Sequence, residues 1–260
     1  MYNNIGNFYI RNGQIVPSEK FVSEVKSRTV VYEVVRVINQ KAMFLSDHLL
    51  RLKRSLEAIG EDSRIVDEMT EQISTLIDGH SLNKNIKIDV FDNNYRCYFI
   101  ESFYPDELLY QEGIKTTLFK IERDNPTVKK LNMNYKRTIE EVKNDQFFEV
   151  LLEDEQGNII EGSRSNLLFI KNRTIISAPL SQILHGVTFK NVIKMAANSN
   201  IDVIYKAVSK DELSSIDACF ITGTSIGVLP IKSIDEYSYS VDHPILLDLI
   251  SAYSGFINDL

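Results

Sequence analysis

Cysteine is scarce in this 260-residue chain: there are two, Cys97 and Cys219. Each sits in an apolar frame, Arg-Cys-Tyr-Phe-Ile and Asp-Ala-Cys-Phe-Ile, with no second cysteine nearby and no metal-ligand spacing. Both read as buried strand residues rather than disulfide or zinc partners. Histidine is equally thin, with His48, His80, His185 and His243 scattered singly, so no structural metal is expected. No stretch approaches about 18 uncharged apolar residues, which removes the usual sign of a membrane span. Basic runs are missing as well: 29 Lys+Arg stand against 36 Asp+Glu, a net charge of −7. A nucleic-acid or anionic-membrane partner is therefore not expected. The first residues, Met1 to Gly6, lack a charged segment followed by an apolar one, so the expectation is a soluble, cytoplasmic protein. There is no internal repeat and no low-complexity tract.

What is present is an ordinary globular composition, 43% hydrophobic and 25% charged, at a length suited to one large domain or two small ones. Asn12-Gly13 between Phe8-Tyr9-Ile10 and Ile15-Val16 signals a hairpin. A second hairpin is expected from the β-rich run Val30 to Ile38, the polar Asn39-Gln40-Lys41 and Ala42 to Leu45. Tyr32, Val34 and Arg36 share one face of its first strand. Ser46 is expected to cap a helix striped by Leu49, Leu52, Leu56 and Ile59 and closed by Gly60. A second amphipathic helix is expected over 64–78, then strands at Ile86–Val90 and Tyr98–Ile100.

Glu122 to Thr127 is polar, carries Pro126 and has no period, which suits a linker. A helix over 135–144 follows. Strands are expected at 149–152, 159–160, 166–170 and 174–176, then a helix over 188–197 and a strand at 203–205. Ser209-Lys210-Asp211-Glu212 has the capping-box form. The strand Ala218–Ile221 runs into Thr222-Gly223-Thr224-Ser225.

Three loops join apolar strands to glycine and hydroxyl residues, whose amides and hydroxyls must face something polar. They are Glu161-Gly162-Ser163-Arg164-Ser165-Asn166, Leu184-His185-Gly186-Val187-Thr188 and Thr222 to Ser225. The second is a glycine turn opening a helix, a ready anion site by its free N–H groups and dipole, although an ordinary N-cap has the same form. Arg51, at the edge of its helix's apolar stripe, suits either a solvated position or a bidentate partner for phosphate.

These segments, taken with Tyr32-Glu33-Val34-Val35-Arg36-Val37, His48-Leu49-Leu50-Arg51-Leu52, Lys129-Lys130-Leu131-Asn132 and Leu229-Pro230, resemble in order the class IV pyridoxal-phosphate aminotransferases. That family holds branched-chain and D-amino-acid aminotransferases and aminodeoxychorismate lyase. The resemblance implies the two-domain α/β (α+β) architecture called fold type IV. A small α+β domain would span 1–118, a linker 119–127 and a larger pseudo-barrel α/β domain 128–260. It implies pyridoxal 5'-phosphate as cofactor and Lys129, in the Lys-x-Leu-Asn frame, as the Schiff-base lysine. Lys130 is the other candidate, and Tyr135 would reach the cofactor's phenolic oxygen only in that frame. Glu161 would face the pyridine nitrogen. Arg51, Val187, Thr188, Thr224 and Ser225 would hold the phosphate, Leu184 would pack on the ring, and Ser165 and Asn166 would line its edge. Tyr32 and Arg36 match substrate-pocket positions. A homodimer is implied, since in the family the pocket is completed by a second subunit.

The chain departs from the family in three places. Val25 to Val30 stands where Gly-Asp-Gly is usual, Phe189 replaces an arginine, and Phe91 to Arg96 stands where D-amino-acid aminotransferase keeps its carboxylate trap. All three belong to the substrate side. The reading is an aminotransferase acting on an amino acid and a 2-oxo acid. A lyase on the same scaffold and a non-catalytic cofactor binder are the alternatives.

Overall fold

The computed structural model describes residues 6–23, 25, 27, 29–78 and 83–259. Residues 1–5, Lys26, Arg28 and His80 lie outside the described residues. The chain forms two compact units, Met1–Phe103 with Val128–Leu131, and Tyr104–Thr127 with Asn132–Leu260. These bounds differ from the expected 1–118, 119–127 and 128–260. Two pairings explain the difference: residues 114–120 form a strand of the second unit's sheet, while 128–131 runs back along a strand of the first.

In the first unit, strands β1 (Phe8–Arg11) and β2 (Gln14–Pro17) form the expected hairpin. Asn12 and Gly13 both have positive φ, 49° and 76°, as a two-residue turn of this kind requires. The sheet continues with β3 (Val31–Ile38), β4 (Lys41–Ala42), β5 (Asn85–Phe91) and β6 (Asn94–Ile100), in the antiparallel order β2-β1-β6-β5-β3-β4. Helices α1 (Leu45–Ala58) and α2 (Met69–Asp78) contribute Leu49, Leu52, Leu56, Met69, Ile73 and Leu76 to a core shared with Val31, Val35, Val37, Ile86 and Ile88. Alternation on β3 is strict. Val31, Glu33, Val35 and Val37 are buried on the core face, and Tyr32, Val34 and Arg36 are half-buried on the other.

Two local expectations are corrected. Ser46 lies inside α1, whose N-cap is Phe44 in the left-handed region at φ 52°, without a side-chain cap. The expected helix over 64–78 is a 3-10 turn at Ser63–Val66, capped by Asp62, followed by α2.

The second unit contains α3 (Glu107–Glu112), β7 (Ile114–Lys120), α4 (Met133–Lys143), β8 (Glu149–Glu153), β9 (Asn158–Gly162), β10 (Asn166–Lys171) and β11 (Thr174–Ser177). It continues with α5 (Val187–Asn198), β12 (Asp202–Tyr205), β13 (Val208–Ser209), β14 (Ala218–Gly223), β15 (Gly227–Ile234), β16 (Tyr237–Ser238) and α6 (Pro244–Asn258). Its ten-stranded sheet runs β12-β11-β10-β14-β15-β7-β8-β9-β13, with β16 on β15. β7 is parallel to both neighbours, β15 and β8. The interior strands β10 and β14 are apolar and buried almost throughout, as strands covered on both faces must be. Pro230 is tolerated within β15 because pairing with β7 begins only at Ile231. Ser209 and Glu212 form the expected capping box, on a 3-10 helix.

Both cysteines are buried strand residues, and burial pushes both thiols above their usual range, with the Asp89 charge adding at Cys97. Among the described residues, no helix is long and apolar enough to cross a membrane.

Candidate active site

β3 turns an acid into the core of the first unit, and α1 supplies its partners. Glu33 is fully buried; its carboxylate accepts from Arg51 Nε at 2.6 Å, Arg51 Nη2 at 2.7 Å and His48 Nδ1 at 2.9 Å. Burial alone would raise the Glu33 pKa. The Arg51 charge and hydrogen bonds, helped by His48, outweigh it and hold the carboxyl well below the usual range. His48 is driven the other way, its pKa lowered by burial in spite of Glu33. Arg51, read from sequence as a phosphate ligand or a solvated edge residue, thus spends Nε and Nη2 on Glu33. Glu33 and His48, the buried partners of Arg51, were not singled out in the sequence reading.

Lys129 lies beside β3. Its carbonyl accepts from Tyr32 N at 3.0 Å, its N–H donates to Ser55 Oγ at 3.3 Å, and Leu131 N donates to Val30 O at 2.8 Å. The Lys129 ammonium stands 4.6 Å from the Tyr32 ring centroid, a cation–π contact. Lys130 is held through an isolated backbone bridge to Val31. Tyr32 and Lys129, two sequence-predicted residues, are therefore brought together, and Arg36 shares Tyr32's face of β3.

In the second unit, Glu161 is the penultimate residue of β9 and is 2% exposed. Its Oε1 accepts from Arg123 Nη1 at 2.5 Å; its Oε2 accepts from the Leu184 N–H at 3.1 Å and Asn166 Nδ2 at 3.3 Å. Asn166 Nδ2 also donates to Leu184 O at 2.8 Å. Glu161, Asn166 and Leu184, predicted from two separate loops, thus form one network, to which the structure adds Arg123. Ser165 is placed differently, donating to Glu149 Oε2 at 3.0 Å, while Ser163 donates to Glu149 Oε1 at 2.5 Å. Glu149 is a buried acid that holds the loop from beneath. Tyr135 donates to Ser163 O at 3.3 Å.

Val187 and Thr188 are buried in the first turn of α5, whose N-cap, Gly186, has no side-chain capping bond. The first-turn N–H groups and the positive end of the helix dipole are left for another acceptor. A Cβ on Gly186 would strike Asn166 Oδ1, so the helix start and the Glu161 network are packed without slack. Thr224 and Ser225 occupy the turn between β14 and β15. Next to them the buried Thr222 hydroxyl has no hydrogen-bond partner among the described residues, and Thr222 pairs in register with Asn166. Phe189, where the family carries arginine, is buried on α5.

An amino-transferase class IV family model matches residues 30–234. The chain belongs to the class IV aminotransferases. It is 28% identical over 240 residues to a "Probable branched-chain-amino-acid aminotransferase" of Thermotoga maritima, covering 88% of this chain and 87% of the relative. It is 26% identical over 256 residues to the D-alanine aminotransferase of Bacillus licheniformis, covering 86% and 87%. A Thermotoga maritima crystal structure assigned as a branched-chain amino acid aminotransferase superposes with TM-score 0.85 at 25% identity, covering 97% of this chain and 96% of that one. The Escherichia coli branched-chain enzyme gives 0.85 at 21% identity, covering 96% and 94%.

The fold is accordingly fold type IV, and the chain is an aminotransferase that moves an amino group between an amino acid and a 2-oxo acid with pyridoxal phosphate as cofactor. The residues present fit that cofactor. The uncapped start of α5 and the orphaned Thr222 hydroxyl offer donors to a phosphate, and buried Glu161 offers an acceptor.

Proposed function

We propose that Lys129 carries the Schiff base and moves the substrate's α-proton in this aminotransferase. The observation that supports it is the placement of Lys129, with its main chain tied to β3 at Tyr32 and its ammonium on the Tyr32 ring. Bound pyridoxal phosphate supplies an aldehyde for amine capture and a ring that withdraws electrons from the Cα–H bond. Lys129 provides the amine for the first task and the proton acceptor for the second. Glu161, steadied by Arg123, Asn166 and the Leu184 amide, accepts from the protonated ring nitrogen. Leu184 would pack on the ring, and Asn166 and Ser165 would line its edge, Ser165 from the loop that Glu149 holds. The first-turn amides at Val187 and Thr188, the hydroxyls of Thr188, Thr224 and Ser225, and Arg51 take the phosphate. Tyr32 and Arg36 face the substrate. The working form is a homodimer, a reading supported by the family resemblance and tested by light scattering of the purified protein; a cytoplasmic location is tested by cell fractionation.

The test of the site is chemical. Protein loaded with pyridoxal phosphate, reduced with borohydride and digested, should yield the cofactor on the peptide containing Lys129. Modification at Lys130 instead would reassign the lysine. Spectral conversion by an amino donor supports transamination, whereas pyruvate release from aminodeoxychorismate would make the chain a lyase. A coloured protein that responds to neither would be a cofactor binder without turnover.

A further inference from the structure

We propose that Lys87 is the cation that holds the substrate's carboxylate, an assignment that rests on the Lys129 reading. Cross-strand register puts Tyr32 opposite Asp89, Lys87 opposite Tyr98 and Asp89 opposite Arg96. These five side chains share one face of the first unit's sheet, opposite the face that buries Glu33, Ile86 and Ile88 against the helices. The Lys87 ammonium stands 5.4 Å from the Tyr32 ring centroid and 5.9 Å from that of Tyr98. The Tyr32 ring is thus shared by Lys87 and Lys129.

Charge on this face does not balance. Asp89, 1% exposed, accepts at Oδ2 from Arg96 Nε at 2.9 Å and Tyr98 OH at 2.8 Å. Arg96 completes its bonding on the carbonyls of Val22 and Ser23, so a buried guanidinium already compensates Asp89. Lys87 is then a second cation on one carboxylate. Its Nζ lies 3.0 Å from Asp89 Oδ1, an ion pair. That contact occupies one of the three N–H donors of Lys87 and leaves two. An ammonium only 22% exposed, in surplus and backed by two aromatic rings, favours an anion.

The anions that this reaction brings are carboxylates, the α-carboxylate of every amino acid and 2-oxo acid and the second one of a dicarboxylic substrate. The place where the D-amino-acid branch keeps its carboxylate trap is here a tight hairpin turn, with Asp92 and Asn93 at φ 48° and 55°. Lys87 supplies a cation from the strand leading into that turn.

The experiment compares wild type, Lys87→Met and Lys87→Arg as cofactor-loaded proteins. Donors are both enantiomers of alanine and of glutamate, with isopropylamine as a donor lacking a carboxylate. In Lys87→Met the half-saturating concentration for carboxylate donors should rise about 10- to 100-fold, the loss of one charge-assisted hydrogen bond, with the maximal half-reaction rate little changed. Lys87→Arg should recover most of the affinity, and isopropylamine should respond equally to all three proteins. A rise for both alanine and glutamate assigns Lys87 to the α-carboxylate; a rise for glutamate alone assigns it to the distal one. Unchanged half-saturation for every carboxylate donor, in a Lys87→Met protein that still fixes cofactor on Lys129, overturns the Lys87 assignment while leaving the Lys129 reading intact. A wild type that converts none of these donors overturns the Lys87 assignment, while borohydride fixation on Lys129 or on Lys130 decides the Lys129 reading separately.

Discussion

Arg51 grips Glu33 through two nitrogens inside the first unit, Nε on Oε1 at 2.6 Å and Nη2 on Oε2 at 2.7 Å. Removing the guanidinium leaves a fully buried carboxylate with His48 and the Val34 N–H as its remaining partners. Arg51→Met is expected to cost about 3–5 kcal/mol, the usual penalty for breaking a buried pair from one side. Chemical denaturation of the cofactor-free protein measures it. If Arg51 served phosphate alone, the cofactor-free stability would not move.

The same cluster sets an acid sensitivity. Glu33 has a folded pKa depressed below its unfolded value, so its contribution is complete above the ordinary carboxylate range and is lost as pH falls below it. His48 is also depressed, so the unfolded chain takes up its proton first and stability falls below about pH 6.5, the ordinary histidine value. Each group adds a slope of at most about 1.4 kcal/mol per pH unit in its window. Unfolding free energy measured from about pH 7.5 to about pH 2 should decline in two stages, the second below the ordinary carboxylate value. His48→Gln should flatten the first and leave the second.

Glu33 shows where the sequence was legible and was not read. Alternation places it with Val31, Val35 and Val37, and an acid on a core-facing row requires partners, which the next helix supplies at positions 48 and 51. The hairpins and the Glu161 and Gly186 loops were visible because turn residues and helix starts leave local marks. β7 was not: Ile114–Lys120 is recruited by parallel pairing to β8 and β15, and non-local pairing leaves no mark in a seven-residue segment. Arg123 was absorbed into an apparent linker for the same reason, since its partner Glu161 lies 38 residues away.

Arg123→Met should make stability depend on cofactor. Without the guanidinium, Glu161 loses the Arg123 bond at Oε1 and keeps the Asn166 and Leu184 donors at Oε2. A loss of about 2–3 kcal/mol is expected for the cofactor-free protein, below the full buried-pair penalty because Arg123 is 19% exposed. Pyridoxal phosphate should restore part of that loss if its ring nitrogen meets Glu161. Thermal unfolding of Arg123→Met with and without the cofactor, against wild type, reads the difference, and equal shifts in the two proteins would contradict the Glu161 assignment.

Glu149 accepts the Ser163 and Ser165 hydroxyls and the Val150 N–H from a position 4% exposed. Glu149→Leu keeps the volume but leaves those donors unsatisfied, at a cost of about 2–4 kcal/mol. Glu149→Gln retains one acceptor oxygen and should lose about half as much. Denaturant midpoints that rank wild type, Gln and Leu in that order would show the acid bracing the loop. Identical midpoints for Gln and Leu would not fit it.

Gly186 offers the most local probe of the α5 start. Its φ of −60° is open to any residue, so conformational strain is not the issue; a Cβ there meets the Asn166 side chain. Gly186→Ala must therefore push Asn166 off its bonds to Glu161 and the Leu184 carbonyl, with an overpacking cost of about 1–3 kcal/mol. Because Asn166 links the helix start to Glu161, affinity for pyridoxal phosphate should fall at least about tenfold, equivalent to about 1.4 kcal/mol. Pairing the substitution with Asn166→Ala separates the causes. The smaller side chain removes the Asn166 clash and leaves a Phe189 Cβ contact at 3.1 Å, so in the Asn166→Ala background the added methyl should cost much less in stability and in cofactor affinity than in wild type, as read by equilibrium titration. A full additive loss in the double variant would mean that the methyl acts on the phosphate-facing amides directly rather than through Asn166.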